Sequence, residues 1–475
     1  MVYNNFIRFT FVELLYDKSI GLSSINFKPL GMVAAVNGGS NMGSNMGSNK
    51  DRTILHCDMN SFYASVACFV NPELRDKPVV VGGSEDLRHG IVLAKNEIAK
   101  RYGIKTSEVL WLARNKCPGL VTAPPDYELY LKFSRLAREI YSRYTDRIES
   151  FGIDECWVDV TGSTNLFGSG EKIANEIREV VKRELGVTVS AGVSFSKIFS
   201  KLGSDMKKPD ATTVITRENF RDKVWRLPAS DLLYVGHATA NKLSKMGIET
   251  IGQLANADVE RLVSVLGAWG LMLSRFANGE DNSPVAQNGE EGIIKSVGNS
   301  TTLPRNIETV EDVKKVFYML SESVASRLRD HGLKATTVQI YVRDEDLASV
   351  ERQGQLRYPS FLSGELAEKS MEIFIKKYVL RKPIRSLGVR GCNLVGKDAI
   401  VQLDLFADHA KRERHENLEY AIDDLRRRFG YHIVERGILH VDRDLTKINP
   451  KDHTIHPINF FDGPITTDYT LKRSA

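Results

Sequence analysis

The stretch FGIDECWVDV, residues 151–160, sets two carboxylates side by side, Asp154 and Glu155, inside an otherwise apolar run. A run of that kind reads as a buried strand. Burying two adjacent like charges is costly unless positive charge lies beside or between them. Any fold open to this chain must therefore bring a cation to that strand. A second strand end carries another acid, Asp58, in HCDMNSFYASV. A strand bearing one Asp beside a hairpin bearing Asp-Glu can bring three carboxylates to one point. Two Mg²⁺ ions about 3.5–4 Å apart need that density of hard oxygen ligands, and they clamp the attacking and leaving oxygens of a phosphoryl transfer. For any one of these acids taken alone, a strand-end turn or an ion pair is the plainer reading.

The rest of the chain limits what surrounds those acids. At 475 residues it has the length of roughly three to four domains. Hydrophobic residues make up 42 % and charged residues 26 %, an ordinary globular composition. Lys and Arg number 65 against 60 Asp and Glu, so a nucleic-acid partner requires local clustering of the basic residues. Five cysteines, Cys57, Cys68, Cys117, Cys156 and Cys392, include no C-x-x-C pair. That usage fits a reducing cytoplasm and argues against a disulfide framework or a zinc site. No stretch approaches the ~18 apolar residues of a membrane span. Residues 1–50 read as foreign to the fold: FIRFTFVELLYD is broken by Arg8, Glu13 and Asp17, and GGSNMGSNMGSN is a flexible linker. A disordered extension and a false upstream start, with Met32, Met42 and Met46 following, are both open.

Strands and helices alternate through about residue 222. TILHCDM, KPVVVGG and GVTVSAGVS read as strands; NSFYASVACFV and FSKIFSKLGSDM read as helices; IVLAKNEIAKRYG is a strand running into a basic helix. EKIANEIREVVKREL sets Ile173, Ile177, Val180, Val181 and Leu185 on one helical face. Residues 229–280 are short helices broken by glycines. Residues 292–396 follow a β-α-β-β-α-β order, with Thr309 and Asp312 placed to cap the first helix and Val338, Ile340 and Val342 alternating along a half-exposed strand. The tail, 399–475, holds QLDLF, an amphipathic helix and a Pro-rich end. The fold class is a multidomain α/β protein.

CDMNSFYASV, KPVVVGG, VLAKNEIAKRYGIK, FGIDECWVDV and SAGVSFSKIFSKLGSDMKKPD stand in the order and spacing of the Y-family translesion DNA polymerases, the ImpB/MucB/SamB family, and the chain resembles them from about residue 53 to about 406. The D-x-N-x-F-Y-A-S form looks closest to the UmuC-like branch, since the DinB-like branch more often has D-x-D. The resemblance implies a right hand with an α/β palm (51–71 and 129–222), small fingers (72–128), a helical thumb (223–288) and a little finger (292–398). It implies that Asp58, Asp154, Glu155 and the Met59 carbonyl hold two Mg²⁺ ions. One ion would activate a primer 3′-OH to attack the α-phosphate of a dNTP, and the other would hold the triphosphate and the leaving pyrophosphate. Tyr63 matches the steric gate, whose ring leaves no room for a 2′-OH, with Phe62 packed beneath the same sugar. Lys100 and Lys201 match the cations that hold the triphosphate.

This sequence also departs from the pattern. Asn60 is neutral where relatives have Asp, at a position that is not a primary metal ligand. Lys100 stands where many have Arg, Glu97 where the DinB-like branch has Tyr, and Ala67 where Glu is usual. These changes bear on the nucleotide pocket. Lys95, Arg101, Lys207 and Lys208 read as solvated or DNA-backbone charges. In YVGHATANKLSKMGI, Gly236 fits a helix-hairpin-helix turn that aims backbone N–H groups at a phosphate, with Ala238 where a second Gly is usual; a plain turn fits as well. Lys295, Arg305, Arg343 and Arg390 lie among polar neighbours on the little-finger strands and can track phosphates.

QLDLF resembles the pentapeptide that binds the bacterial sliding clamp, while AIVQLDLF also fits a strand. Gln402 would bond the groove edge, and Leu403, Leu405 and Phe406 would complete the motif, with Leu405 and Phe406 in an apolar pocket. The helix at 417–429 reads either as the seat of an accessory protein or as tail packing, and a UmuD-like accessory protein is among the partners the resemblance allows. The family implies a primed DNA template and dNTPs as ligands, no membrane, and a cytoplasmic, nucleoid-associated, low-fidelity enzyme of damage tolerance and SOS mutagenesis. A catalytically inactive DNA- and clamp-binding protein is the alternative, and a nucleotide cyclase another; intact Asp58, Asp154, Glu155 and Tyr63 argue against the first, and the sugar gate and QLDLF against the second.

Overall fold

The computed structural model describes residues 52–83, 90–290, 293–399 and 408–446. The linker expected within 1–50 and the pentapeptide 402–406 lie outside them. The described residues form two units, one drawn from 52–81, 91–123 and 133–288, the other from 82–90, 124–132 and 289–446.

In the first unit, eight short strands make two sheets. β1 (Ile54–Met59), β5 (Ile148–Ser150), β6 (Glu155–Asp159), β7 (Val189–Ser194) and β8 (Thr212–Ile215) form one in the order β5-β6-β1-β7-β8. β2 (Val79–Gly82), β3 (Val92–Lys95) and β4 (Val121–Ala123) form the other, in the order β3-β2-β4. β1 and β7 are buried along their whole length, which is why they read as continuous apolar runs rather than alternating ones. Helix α1 (Phe62–Val70) leaves the end of β1. Helices α2 (Glu97–Arg101) and α3 (Leu110–Lys116) cover the smaller sheet, with Ala99, Leu110 and Ala113 packed against Val80 and Val92.

Two longer helices cover the larger sheet. α4 (Gly170–Leu185) is capped by Ser169 and buries Ile173, Ile177, Val180, Val181 and Leu185, the face expected from their spacing. α5 (Lys197–Met206) is capped by Ser196 and lies directly on β7. Gly192 permits this: a Cβ there would sit 1.9 Å from the Ser200 carbonyl oxygen and 2.5 Å from the Ser204 nitrogen. The helical segment follows as 237–245, 251–255, 259–266 and 268–277, and its Leu243, Ile251, Leu262 and Phe276 share one core with Phe195, Phe199 and Phe220.

The second unit has the β-α-β-β-α-β order read from the sequence: β9 (Ser296–Ile307), α6 (Val310–Asp330), β10 (Leu333–Asp344), β11 (Ser349–Ser360), α7 (Ser363–Lys377) and β12 (Ile384–Gly396). Its sheet runs β11-β10-β12-β9, every pair antiparallel. Thr309 caps α6 by accepting from Asp312 N. Arg305, one of the basic residues expected to track phosphates, pairs with Asp312 at 3.2 Å and Asp442 at 2.6 Å. Helix α8 (His409–Phe429) packs on α6 through buried ion pairs: Arg329 with Asp423 at 2.6 Å and Glu419 at 3.0 Å, and Arg426 with Glu322 at 2.7 Å. Leu418, Leu425 and Phe429 face outward, so the polar face of this amphipathic helix is the buried one.

Candidate active site

The acid pair lies at a hairpin tip. Only Glu155–Asp159 of the run 151–160 is strand; residues 151–154 turn the chain from β5 into β6. That corrects the reading of the run as one buried strand. Asp154 and Glu155 stand where the sheet opens and are half-buried. Asp58, near the end of β1, is the direct cross-strand partner of Glu155, and Met59 N donates to the Asp154 carbonyl at 3.0 Å. All three acids thus share one end of one strand pair.

Positive charge reaches them from α5 and from Lys208 just past its end. Lys201 Nζ lies 2.8 Å from Glu155 Oε2, 3.4 Å from Asp58 Oδ2 and 3.2 Å from Asp205 Oδ2. Lys208 Nζ lies 2.7 Å from Asp58 Oδ2 and 2.8 Å from Asp205 Oδ1. The consequences for charge differ among the acids. Burial, then the neighbouring Glu155 and Asp58, pushes the Asp154 carboxyl up to about 8. Burial and Glu155 likewise raise Asp58. For Glu155 burial acts in the same direction, but His56 and Lys201 outweigh it and hold the carboxyl at about 2. Burial alone would lower Lys201; Glu155, Asp58 and Asp205 more than reverse it.

The donor set suits a hard divalent cation in kind, since carboxylate oxygens are what such ions take. Among the described residues no three such side chains converge closely enough to enclose one. The Lys201 and Lys208 ammoniums stand on oxygens of Asp58 and Glu155.

Around α1 the candidate nucleotide residues separate. Phe62 is buried, 3 % exposed, whereas Tyr63 is half-buried, its ring 5.7 Å from that of Phe62. Ala67 is partly buried against the smaller sheet. Ser61, the residue before α1, is left-handed (φ 50°) and its hydroxyl donates to Glu97 Oε1 at 3.1 Å. The same oxygen takes Lys100 Nζ at 2.5 Å. Two departures from the family pattern, Glu97 and Lys100, therefore form an ion pair with each other. Gly236 caps the helix 237–245 with open space where a side chain would go, so nothing steric demands glycine there.

Sequence reading missed three participants. His56 is fully buried, with Nδ1 2.9 Å from Ser204 Oγ and Nε2 3.4 Å from Glu155 Oε2; burial lowers its pKa. It stands two residues before Asp58, so strand alternation puts both on one face. Lys208, read as a solvated or DNA-backbone charge, lies just past the end of α5, and Asp205 follows Lys201 by one helical turn, a spacing visible in the sequence. Asn60 plays a structural part, because its amide donates to Thr188 Oγ1 at 3.1 Å and accepts from Ser190 Oγ at 2.8 Å. A carboxylate could accept the second bond but could not donate the first.

A five-stranded α/β palm with its acids at one pair of strand ends, beside a small fingers layer and a helical thumb, defines the class: a DNA-directed DNA polymerase of right-hand architecture. The model of the impB/mucB/samB family matches residues 57–205, and the model of that family's C-terminal domain matches 294–405. A protein of Acetivibrio thermocellus named DNA polymerase IV is 57 % identical over 397 residues, 84 % of this chain and 100 % of that one. Another DNA polymerase IV, from Clostridium acetobutylicum, is 35 % identical and covers 82 % of this chain and 98 % of its own. A solved Y-family DNA polymerase chimera aligns with a TM-score of 0.64 at 23 % identity, over 72 % of this chain and 99 % of that one. The chain belongs to the impB/mucB/samB family of Y-family DNA polymerases, on its DinB/ImpB-like side. Asn60 alone, which suggests the UmuC-like branch, does not decide the matter. No described helix is long and apolar enough to cross a membrane.

Proposed function

We propose that this translesion DNA polymerase extends a primer by two-metal phosphoryl transfer, at low fidelity, as part of damage tolerance. The observation that carries the reading is the placement of Asp58, Asp154 and Glu155 at the same end of the β1–β6 strand pair. Asp58, Asp154, Glu155 and the Met59 carbonyl would hold two divalent cations, Mg²⁺ in this reading. Bound there, such ions supply Lewis-acid charge to an attacking hydroxyl and a leaving pyrophosphate.

The chain's own residues do the rest. Lys201 and Lys208 neutralise the acids until those oxygens are taken, and Lys201 then turns to the triphosphate. Lys100 serves the triphosphate from the fingers side. Tyr63 fills the space at the sugar C2′, held in place by the buried ring of Phe62. The backbone N–H groups after Gly236 contact a phosphate of the duplex. Gln402, Leu403, Leu405 and Phe406 bind a sliding clamp, and tethering to a ring on DNA raises the local concentration of primer ends. A UmuD-like accessory protein and expression in the SOS response belong to the same reading.

The test is extension of a primed template carrying an abasic site, with Mg²⁺ and dNTPs, by the full chain and by its Asp154→Ala/Glu155→Ala variant. Bypass by the parent and none by the variant supports the reading. Loss of bypass with extension on undamaged template intact would remove the translesion part, and undiminished extension by the variant would remove the metal site.

A further inference from the structure

α3 turns Leu110 and Ala113 into the core of the smaller sheet and leaves Trp111 outside, 59 % exposed. Val109 and Leu112 beside it are also exposed, as is Tyr102 at the end of α2. A tryptophan this exposed contributes little to folding, and an outward indole is the side chain best suited to bind a flat apolar partner. Trp111 has no aromatic partner among the described residues. Lys116 ties this helix to its neighbours: its Nζ donates to the Gly103 carbonyl at 3.1 Å and pairs with Glu108 at 2.6 Å. The loop that carries Tyr102 and the helix that carries Trp111 therefore belong to one small layer.

The charge around it is one-sided. Residues 95–116 hold six basic residues (Lys95, Lys100, Arg101, Lys105, Arg114, Lys116) and two acids. Both acids are taken internally, Glu97 by Lys100 and Glu108 by Lys116. Arg101 and Lys105 are exposed beside the aromatic positions. An apolar protein partner would be met by this cationic rim only at a desolvation cost. A single nucleic-acid strand presents flat bases to stack and phosphates to pair, which is the combination this surface offers.

We propose that Trp111 is a stacking platform for the unpaired template strand, with Arg101 and Lys105 set to follow its phosphates. The proposal rests on the polymerase class alone and is independent of the metal reading, because binding can be measured without catalysis.

The experiment compares the full chain with Trp111→Ala and Trp111→Phe on two DNAs, a primed template with a ten-nucleotide 5′ overhang and the same duplex made blunt. Binding is read by anisotropy of labelled DNA at fixed salt. The expected result is an affinity for the overhang DNA lower by about fivefold or more in Trp111→Ala. Trp111→Phe should recover most of it, and the blunt duplex should bind all three proteins equally. Because the indole is exposed, the melting temperature should not move. Equal affinity of parent and Trp111→Ala for the overhang DNA would overturn the proposal, as would an equal loss on both DNAs. Self-association of the parent that Trp111→Ala abolishes, with DNA binding unchanged, would assign the surface to a second protein copy and overturn it too.

Discussion

Asp58 and Glu155 face each other directly across the β1–β6 pair, and one lysine, Lys201, contacts both. Like charges directly opposite on antiparallel strands destabilise a sheet. Lys201 is thus a structural counter-ion as well as a candidate ligand for the triphosphate.

Replacing that lysine separates the two roles. With side-chain exposures of 12 % for Lys201 and 7 % for Asp58, Lys201→Met leaves acids at the end of the sheet with too little positive charge. The expected loss is about 2 kcal/mol, below the full penalty for a sealed pair because Glu155 is partly wet. In calorimetry the melting temperature should fall by roughly 5 °C. Added Mg²⁺ should restore part of the loss in the variant and add less to the parent.

The pH dependence of stability should carry the mark of Asp154. Its folded-state pKa, raised to about 8 by burial and then by Glu155 and Asp58, lies above an ordinary carboxyl. Between about pH 4 and 8 the unfolded chain therefore binds fewer protons at this group than the folded one, so its contribution falls as pH rises. Glu155, held at about 2, acts oppositely: its contribution is present at neutral pH and lost in acid. Asp154→Asn should raise the melting temperature of the metal-free protein at pH 8 by about 3 °C, as expected for ~1 kcal/mol. The gain should vanish near pH 4, and thermal melts across that range check both ends.

Sugar discrimination should reside in Tyr63. Its ring is half-buried beside that of Phe62, so Tyr63→Ala opens space without emptying the core. Incorporation of rNTPs relative to dNTPs should rise by about 10- to 100-fold in single-turnover assays. Phe62→Ala, which removes a buried ring, should lower stability as well.

In the proposed reading, Glu97 would compete with the nucleotide for Lys100. The two side chains are 41 % and 37 % exposed, so the pair is a weak surface interaction. Glu97→Gln should lower KM for dNTP by about two- to threefold and leave kcat unchanged. An increase in KM would show instead that Glu97, anchored by Ser61, holds Lys100 in its working position.

Gly192 sets the site from behind. A methyl group there meets the backbone of Ser200 and Ser204, which cannot swing aside as a side chain can. Gly192→Ala should push α5 off β7 and lower stability by about 3 kcal/mol. Because α5 carries Lys201, the variant should also lose the extra stability that Lys201 gives the acids, so combining it with Lys201→Met should be less than additive.

The amino-acid sequence alone determined the element order, the two strand ends that carry acids, and the little-finger pattern, because strand alternation and helical periodicity are local. Val313, Val316, Phe317 and Leu320 are buried as their spacing requires. The stripe Lys201, Asp205, Lys208 and the pairing of His56 with Asp58 on one strand face were also legible, but nothing local says which charged stripe meets which strand. Only the tertiary structure decided that, through the close approach of α5 to Gly192. It likewise decided that residues 151–154 form a hairpin turn, since the partner strand β5 is what bends them. It turned α8 over as well. Periodicity shows that this helix has two faces, and the common case buries the apolar one. Here Arg329, buried on α6, requires Asp423 and Glu419 opposite it, and an unpaired buried guanidinium would cost more than exposing Leu418 and Phe429.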